Sequence, residues 1–453
     1  FEAEAEPGGA LRHGIPEYKL PREVLDREIE RVRAQGVAIR CGVRVGGNLP
    51  WKQLETYAAV FLATGARVSR PLELSGQEDA DIRPGLEFLR AATPADHGTL
   101  GSRVVVVGGT DTAVDCARTV LRLGAEPVVL CQGSRADLSA SAEAVEEALR
   151  EGVRFEFQTW PVGVRKAGHG ENESAMDAIR TLYDEGSATR PRQRLTAVEC
   201  VRMQPGAGGE RPVPVPGSGF DLPADLLLTA LGEEPDLDFL PGGLGGAGFL
   251  VRVDEWGRTS RPGFFAGGDV AGQPRAVAHA LGSGKRAAIG IDRALRERAG
   301  EALPALAPDS LRPGGTGNPS ITRWRGDDPV RRHGAVDEVV PFERLNLAHF
   351  APAPAKPDRH RSFAERRASF AEANLGLTTA EALAEARRCL ACGVCNGCDL
   401  CLLFCPDAAI GRAEGGDGYV VSDEHCKGCG ICVEECPRGA VTLVETEATE
   451  ARP

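Results

Sequence analysis

Runs of apolar residues separated by glycine turns recur through the first three hundred positions and predict alternating strands and helices. One run, Val104–Val107, leads through a glycine turn into a polar-apolar segment and then into a second run, Val128–Leu130. Between the two runs, apolar residues recur at the spacing of one helix face. These residues are Ala113, Ala117, Val120 and Leu121. The pattern predicts a strand–helix–strand unit.

Two further stretches predict strands that end in small residues. Residues 58–66 (AAVFLATGA) form an apolar run that closes on a Thr-Gly turn. Residues 257–272 contain a second run that closes on Gly267, Gly268 and Asp269, and the following residues 275–291 have the composition of a helix. Small residues at a strand end let a ligand approach the backbone, and a helix N-terminus attracts negative charge. The order of strand, small-residue turn and helix therefore favours nucleotide binding.

The cysteines follow a different pattern. Ten of the fourteen lie between Cys389 and Cys436, while four are scattered singly and are expected to be buried thiols (Cys41, Cys116, Cys131 and Cys200). The run ending in Cys436-Pro437 has the spacing C-x2-C-x2-C-x3-C-P, in which three cysteines bind one 4Fe-4S cluster and the fourth binds a second cluster. Such a run therefore predicts a second run of the same spacing, here called the twin run.

The twin run must also end in x3-C-P, and Cys405-Pro406 meets that condition. A zinc site would instead show two CxxC pairs or interspersed histidines. Short strands are predicted at 419–421 and 441–444, around the second run. One predicted cluster is bound by Cys395, Cys398, Cys401 and Cys436, and the other by Cys405, Cys426, Cys429 and Cys432.

Cys389 and Cys392 fall outside this register. They follow a predicted helix over Thr379–Arg388. Either they bind a metal or cluster together with groups from elsewhere, or they are spare thiols at a domain junction. We expect the isolated chain not to require them.

The turn after Val107 is an imperfect dinucleotide-binding pattern. Gly108 and Ala113 occupy the outer positions of G-x-G-x-x-A, but Thr110 stands at the middle glycine. After the second strand, no acidic residue is placed to bind a ribose hydroxyl, and Arg135 is the one arginine near enough for a 2′-phosphate. NADH and NADPH both remain open, with NADH slightly favoured.

Overall charge narrows the choice of partner. The 453 residues carry a formal net charge of -12, which does not indicate a nucleic-acid binder. The apolar runs are too short to cross a bilayer. We expect a cytoplasmic protein.

In their order, these motifs resemble the glutamate synthase small-subunit family, especially forms with a C-terminal two-cluster ferredoxin. Relatives of that form include the NADH-oxidising subunits of 2-oxoacid:acceptor oxidoreductases. The resemblance implies an α/β fold with two dinucleotide-binding domains, glutathione-reductase-like, plus a small α+β ferredoxin domain. It rests on Pro7-Gly-Gly, HGIPEYKLP (13–21), Ala63-Thr-Gly, Gly108-Gly, ALGEEPDLDFL (230–240) and Gly267-Gly-Asp.

The resemblance also implies a domain order and its cofactors. It divides the chain into an FAD-binding part (1–98), an NAD(P)-binding domain (99–232), a second FAD-binding part (233–300), a linker (301–388) and the ferredoxin domain (389–453). The linker would wrap the flavin domain, or alternatively offer a docking surface for a partner. Phe1 and Glu2 match the end of the second flavin strand, so the family's first strand and glycine turn would precede them, and we expect a truncated sequence.

Candidate cofactor residues follow from the motifs and the resemblance. Glu2 matches the ribose-binding acid of the family and Asp269 its ligand for the ribityl chain. The FAD candidates are Glu2, Gly8, Gly9, Thr64, Gly65, Gly268, Asp269 and Val277, and the NAD(P) candidates are Gly108, Gly109, Asp111, Thr112, Ala113 and Arg135.

No side-chain catalytic group is predicted, because the cofactors carry the chemistry. Electrons would pass between NAD(P)H, FAD and two 4Fe-4S clusters, to or from a partner subunit in a hetero-oligomer or a ferredoxin. A glutamate synthase reductase subunit and a non-catalytic electron-wire or scaffold subunit are the alternatives.

Overall fold

The structure, a computed structural model, describes residues 1–167, 193–206, 211–241, 244, 250–272, 274–303, 340–415 and 418–443. The helices in these ranges are α1 (Gly9–His13), α2 (Arg22–Ala34), α3 (Trp51–Leu54), α4 (Gly85–Ala91), α5 (Asp111–Arg122), α6 (Ala142–Glu151), α7 (Val277–Ala299), α8 (Phe363–Ala368), α9 (Thr379–Ala386), α10 (Leu400–Leu403) and α11 (Ile431–Glu434).

The strands of the same ranges are β1 (Val60–Leu62), β2 (Val68–Ser69), β3 (Ile82–Pro84), β4 (Arg103–Val107), β5 (Glu126–Leu130), β6 (Arg154–Glu156), β7 (Thr159–Lys166), β8 (Leu195–Gln204), β9 (Val213–Pro214), β10 (Phe220–Pro223), β11 (Leu226–Thr229), β12 (Glu233–Glu234), β13 (Phe264–Ala266), β14 (Arg359–His360), β15 (Asn374–Gly376), β16 (Ile410–Arg412) and β17 (Tyr419–Val421).

A five-stranded parallel sheet forms the centre of the predicted NAD(P) domain. Its order is β3-β11-β4-β5-β6, and α5 connects the neighbouring strands β4 and β5. The predicted strand–helix–strand unit is confirmed, and the four apolar residues of its helix face are all buried. Strand β3 belongs to this sheet although it lies within the segment predicted to be the first flavin part.

Strand β4 is buried on both faces because different layers cover its alternating side chains. Val104 and Val106 pack into the core formed with α5 and α6. Val105 and Val107 instead join the core formed with the antiparallel strands β7, β8 and β10. A strand covered on both sides needs a continuous apolar run, which is what the sequence shows.

The predicted flavin-binding part is built around a second parallel pair. β1 and β13 lie side by side with Val60 opposite Phe264, and α7 follows β13. Both predicted strands and the predicted helix are therefore present. Leu62, Phe264 and Val251 form a separate small core with Trp51 against it.

The segment between the nucleotide-binding part and the cysteine-rich part packs on α5 and α6 of the predicted NAD(P) domain and also contacts Tyr18 of the predicted first flavin part. The Arg366 guanidinium lies 3.4 Å from a Glu147 carboxylate oxygen, and the Ala373 N–H donates to the Tyr18 carbonyl at 2.8 Å. His360 also faces Glu147, at 3.4 Å. A buried, charged surface on α5 and α6 thus holds this segment. Residues 304–339 lie outside the described residues.

The cysteine-rich part contains the antiparallel pair β16–β17 and two short helices, α10 and α11. The predicted strand at 419–421 is confirmed, but residues 441–443 form no strand. Strand β17 pairs with Ile410–Arg412 instead, and the Ser422 N–H extends this pairing to the Ala409 carbonyl at 2.7 Å. Helix α9 ends at Ala386, two residues before the predicted Arg388.

Three of the four scattered cysteines are buried as expected, namely Cys116, Cys131 and Cys200. Cys41 is half-buried and lies in a segment whose backbone pairs with residues 2–4. Among the helices described, none has the length and apolar content needed to span a membrane.

Candidate functional site

The turn after β4 requires glycine at its first position. Gly108 has φ 142°, and a Cβ there would lie 2.1 Å from the Ala230 carbonyl oxygen. Gly109 uses its carbonyl oxygen to accept the N–H groups of Ser139 and Ala140, at 3.0 and 2.9 Å. These contacts fix the turn at the N-terminus of α5, where unpaired helix amides attract a phosphate.

Thr110 stands at the middle glycine position of the pattern, and its side chain is directed to neighbouring backbone groups. Its hydroxyl donates to the Ala230 carbonyl at 3.1 Å and accepts the N–H of Ala113 at 3.3 Å. Thr110 is therefore the N-cap of α5, with its side chain held by neighbouring backbone. Ala113 is fully buried and packs the helix against the sheet.

The other two helix-start candidates are engaged by the protein itself. The Asp111 carboxylate accepts the N–H of Ser141 at 3.2 Å. The Thr112 hydroxyl donates to Glu233 at 3.2 Å. Arg135 lies in the turn after β5 and pairs with Glu146 on the surface. The structure thus brings Arg135 to the carboxyl edge of the sheet, where parallel-sheet proteins bind nucleotides.

Two loops of the predicted flavin site meet at the carboxyl ends of β1 and β13. Thr64 and Gly65 follow β1, with Gly65 at φ 71°. Gly268 follows β13 with φ 69°, and its N–H donates to the Ser283 hydroxyl of α7 at 2.7 Å. Because β1 and β13 are parallel neighbours, the two loops lie on one edge of the sheet.

Asp269 is half-buried beside this loop. Burial raises the pKa of its carboxyl group, and the positive charge of Arg275 acts in the opposite direction. Arg275 in turn donates to the Glu233 carbonyl oxygen. Since Glu233 also receives the Thr112 hydroxyl, one residue links the two predicted nucleotide sites. Neither Glu233 nor Arg275 was predicted as a site residue, although Glu233 lies in the 230–240 motif.

A cavity of about 560 Å³ lies between the Gly267–Gly268 turn and α7. His279, Lys285 and Arg286 are among its lining residues, so its surface suits a phosphate-bearing ligand. Val277 is the first residue of α7 and is 52% exposed. This cavity and the adjacent Asp269 fit part of a flavin dinucleotide.

The FAD candidates near the N-terminus, Glu2, Gly8 and Gly9, lie on an edge of the predicted flavin-binding part. The Glu2 N–H donates to the Arg40 carbonyl at 2.8 Å, and the Glu2 carboxylate accepts the N–H of Glu4 at 2.9 Å. Glu4 binds Arg67 at 2.8 Å, two residues beyond Gly65. Gly8 and Gly9, with φ 133° and 51°, form the turn into α1.

The cysteine-rich part brings the first predicted ligand set together. Burial raises the pKa of the Cys401 thiol, and the negative charge of three neighbouring thiolates raises it further. Those three neighbours are Cys395, Cys398 and Cys436. They are the cysteines assigned to one cluster from spacing alone, including the crossing cysteine from the second run.

The second ligand set has the same arrangement. Burial raises the pKa of the Cys432 thiol, and its charged neighbours are Cys405, Cys426 and Cys429. In the described residues, no three His, Cys, Asp or Glu side chains converge closely enough for a single metal ion. A 4Fe-4S cluster bonds each cysteine through a different iron, so its four thiolates need not meet at one point.

The two runs repeat one backbone conformation. Each run places a left-handed residue before and after its second cysteine, and a short helix follows. The thiol of Cys405 accepts the N–H of Ala409 at 3.3 Å, and that of Cys436 accepts the N–H of Ala440 at 3.2 Å. Backbone donors of this kind stabilise thiolate ligands and tune cluster potentials. The left-handed pairs are Gly397 and Asp399 in one run and Gly428 and Gly430 in the other.

Asp399 is the one non-glycine residue among those four positions, and its side chain compensates for the strain. The Tyr419 hydroxyl donates to its carboxylate at 2.8 Å, and Arg412 binds the same group at 2.5 Å. Aspartate at this left-handed position is therefore held by one side chain from each strand of the β16–β17 pair.

Cys389 and Cys392 are both exposed, yet their turn has the same conformation as the two ligand turns. Ala391 (φ 47°) and Gly393 (φ 78°) take the left-handed positions on either side of Cys392. The Ala391 N–H points at the Cys389 sulfur at 3.4 Å, and the Gly393 N–H donates to the Arg438 carbonyl. The pair thus lies against the turn that follows Cys436.

Comparison with known proteins agrees with this arrangement. The profile of the family described as pyridine nucleotide-disulphide oxidoreductase matches residues 27–284, and that of the 4Fe-4S dicluster domain matches residues 394–440. The chain belongs to the pyridine nucleotide-disulphide oxidoreductase family. The cofactors of this combination are FAD, a pyridine nucleotide and 4Fe-4S clusters, in agreement with the cofactor classes predicted.

Curated relatives of this oxidoreductase extend across both parts. The NADP(+)-dependent formate dehydrogenase subunit beta of Moorella thermoacetica is 35% identical over 403 residues, covering 86% of this chain and 50% of that protein. The NADPH-Fe(3+) oxidoreductase subunit beta of Geobacter sulfurreducens is 32% identical, covering 85% and 56%. The chain therefore spans about half the length of these relatives.

The resemblance to the glutamate synthase small-subunit family is confirmed. The glutamate synthase (NADPH) small chain of Mycobacterium tuberculosis is 33% identical over 333 residues, covering 69% of this chain and 64% of that one. Among solved structures, Mycobacterium tuberculosis FprA in complex with NADPH has a TM-score of 0.50 and 16% identity, covering 67% of this chain and 79% of that one. This likeness shows the predicted α/β dinucleotide-binding fold.

Proposed function

We propose that this oxidoreductase passes electrons between NAD(P)H, FAD and two 4Fe-4S clusters, and from there to or from a partner enzyme. The observation that carries the proposal is the interleaving of eight cysteines into two ligand sets on a chain that also has a dinucleotide-binding fold. Nicotinamide exchanges two electrons at once, while each cluster accepts one, so a flavin between them supplies the necessary conversion.

The chain's own residues would bind and orient these groups. The α5 N-terminus, with Gly108 and Gly109, would bind the nicotinamide nucleotide's pyrophosphate. Asp269 would accept hydrogen bonds from a flavin polyol, while the cationic lining of the cavity favours phosphate. The Thr112–Glu233–Arg275 connection would keep the two nucleotide sites in register.

A partner enzyme is proposed because two relatives that cover 86% and 85% of this chain are both named as beta subunits. Their names place one with formate dehydrogenase and one with Fe(3+) reduction, while the motif resemblance pointed to 2-oxoacid oxidoreductases. The glutamate synthase alternative is less favoured, because the small chain from Mycobacterium tuberculosis covers 69% of this chain instead of 85 or 86%. We propose a cytoplasmic hetero-oligomer. Co-purification with a formate-, 2-oxoacid- or glutamine-dependent subunit separates these partners.

The nicotinamide preference is also a proposal. We propose a slight preference for NADH, because Arg135, the arginine predicted from the sequence to lie near the ribose, is paired with Glu146. The relatives named above carry NADP or NADPH in their names, and so Arg135→Ala is the variant that decides. If kcat/KM for NADH is the same in the wild type and in Arg135→Ala, the proposal is supported. If the wild type prefers NADPH and Arg135→Ala loses that preference, the proposal is contradicted.

Iron analysis tests the ligand assignment. The loaded protein should contain about eight irons in two clusters. Cys398→Ser and Cys429→Ser should each damage one cluster and leave the other, because they belong to different ligand sets. Cys200→Ser, which changes a buried thiol outside both sets, is the matched control. Unchanged iron and sulfide in both ligand variants would refute the assignment.

Reduction of an artificial dye separates an enzyme from a scaffold. Reduction by NAD(P)H through the flavin requires both nucleotide sites, so a protein with full iron but no flavin and no dye reduction would support the scaffold alternative.

A further inference from the structure

The two halves of the cysteine-rich part are alike in conformation but differ in what covers them. In the second half, the turn after Cys436 is covered by residues 340–349 of the same chain. Val340 approaches so closely that a Cβ on Gly439 would lie 2.6 Å from it. Asn346 donates to the Glu434 carbonyl at 3.0 Å, and His349 faces Glu435 at 3.5 Å.

The equivalent surface of the first half is open within the described residues. Leu403 and Phe404, which correspond in the repeat to Glu434 and Glu435, are 70% and 49% exposed. Pro406 and Ala408 are exposed, whereas their counterparts Pro437 and Gly439 are buried. Apolar side chains thus stand where the covered half presents carboxylates.

This open surface surrounds a ligand of the second cluster. Leu403 and Phe404 immediately precede Cys405, which belongs with Cys426, Cys429 and Cys432. Electron transfer to a partner requires close approach to a cluster, and exposed apolar groups provide short-lived contact at small interfaces.

The charge of the domain indicates the kind of partner. Between Cys389 and Leu443 the sequence has eight Asp and Glu residues against three Lys and Arg residues. A basic protein surface would be attracted to this domain and oriented on it before the apolar contact forms. An acidic partner would be repelled.

We propose that Leu403 and Phe404 form the centre of a docking surface for a basic protein that carries a one-electron redox group. This inference rests on the proposed function, since it assumes that electrons leave through the second cluster. In the transfer, the reduced cluster loses one electron and the partner's redox group gains it, and no proton or bond is exchanged.

Equilibrium binding tests this surface without turnover. Cytochrome c, a basic one-electron haem protein, is the probe, and the chain is loaded with oxidised clusters. Calorimetry should show salt-sensitive binding that weakens about tenfold in Leu403→Ser/Phe404→Ser. Val162→Ser/Val213→Ser removes two exposed valines from the nucleotide-binding part and should bind like the wild type.

The outcomes separate this inference from the proposed function. Equal affinity of the wild type and the Leu403/Phe404 variant, or absence of binding, refutes the docking surface. Sedimentation showing that these residues join two copies of the chain refutes it as well. Dye reduction by NAD(P)H, measured on the same proteins, tests the proposed function separately, because a dye needs no docking surface.

Discussion

Glu151 of α6 and Arg366 of α8 lie 3.6 Å apart, with both side chains buried. Glu151 also accepts hydrogen bonds from Arg118 at 2.7 Å and from Arg122 at 2.9 Å. Arg122 stacks on the buried Tyr18 ring, 3.7 Å from its centre. Glu151 therefore contacts three buried guanidinium groups, and with Glu147 it joins the nucleotide-binding domain to the segment leading to the clusters.

Glu151→Gln should destabilise the protein strongly. The substitution leaves the buried Arg122 without its counter-charge and leaves Arg118 with Glu147 alone. Loss of one partner of a buried pair costs about 3–5 kcal/mol. Denaturant unfolding measures the change. Glu146→Gln, which breaks a pair on the exposed face of the same helix, is the control and should change little. Equal stability of both variants would contradict the account of this cluster.

The same cluster predicts loss of stability in acid. Burial alone would raise the pKa of Glu151, but hydrogen bonds from Arg118 and Arg122 outweigh it and lower the pKa to about 2. Because the folded value lies below the unfolded value of about 4.3, the stabilisation is complete above that pH. It should be lost as the pH falls toward 2, and Glu151→Gln should flatten this part of the stability profile.

Gly108→Ala should abolish binding of the nicotinamide nucleotide. The new methyl group would overlap the Ala230 carbonyl, in a backbone conformation that alanine disfavours. Nucleotide titration by fluorescence measures the loss. Gly217→Ala is the matched control, since Gly217 also has positive φ (71°) but has open space around it. Normal nucleotide affinity in Gly108→Ala would exclude this turn as the binding site.

Asp269→Ala should release flavin on gel filtration while the clusters stay bound. The carboxylate is half-buried at the loop after β13, where it would hold the flavin side chain. Asp269→Asn keeps part of the hydrogen-bonding capacity and should retain more flavin than Asp269→Ala. Full flavin content in Asp269→Ala would count against the assignment of this residue.

Cys389→Ser/Cys392→Ser should keep about eight irons and NADH-dependent dye reduction in the isolated chain. Their turn resembles the ligand turns, but the other eight clustered cysteines already complete two ligand sets. Loss of about four irons from the isolated chain would show that the pair binds a cluster. Loss restricted to an assembled complex would indicate that a partner completes the set.

Patterns of local origin were predicted well from the sequence. The continuous apolar run at Val104–Val107 identified a strand that is covered on both faces. The spacing of the cysteines divides them into two predicted ligand sets, and the members of each set are neighbours in the structure. Both patterns depend on residues that are close in the chain. The junctions were not predicted. The contact of Arg366 with Glu147 and the role of Glu233 depend on surfaces that meet only after folding.

The Thr110 position shows the limit of motif matching. The dinucleotide-binding pattern has glycine at this position, where the backbone approaches phosphate, and Thr110 departs from that pattern. In the structure its hydroxyl is directed to Ala230 and Ala113, so the residue caps α5 and keeps the turn in place. Whether threonine is compatible with the turn depends on the direction of its side chain, which a pattern of residue types does not give.

We propose that nicotinamide, flavin and both clusters form one electron path. Anaerobic titration of the fully loaded protein with NADH or NADPH, followed by visible and electron paramagnetic resonance spectroscopy, tests it most directly. We expect flavin absorbance to fall and the signals of two reduced 4Fe-4S clusters to appear. Cys398→Ser and Cys429→Ser should each remove a different signal. Flavin that is reduced while both clusters remain oxidised, although dithionite reduces them, would contradict the account.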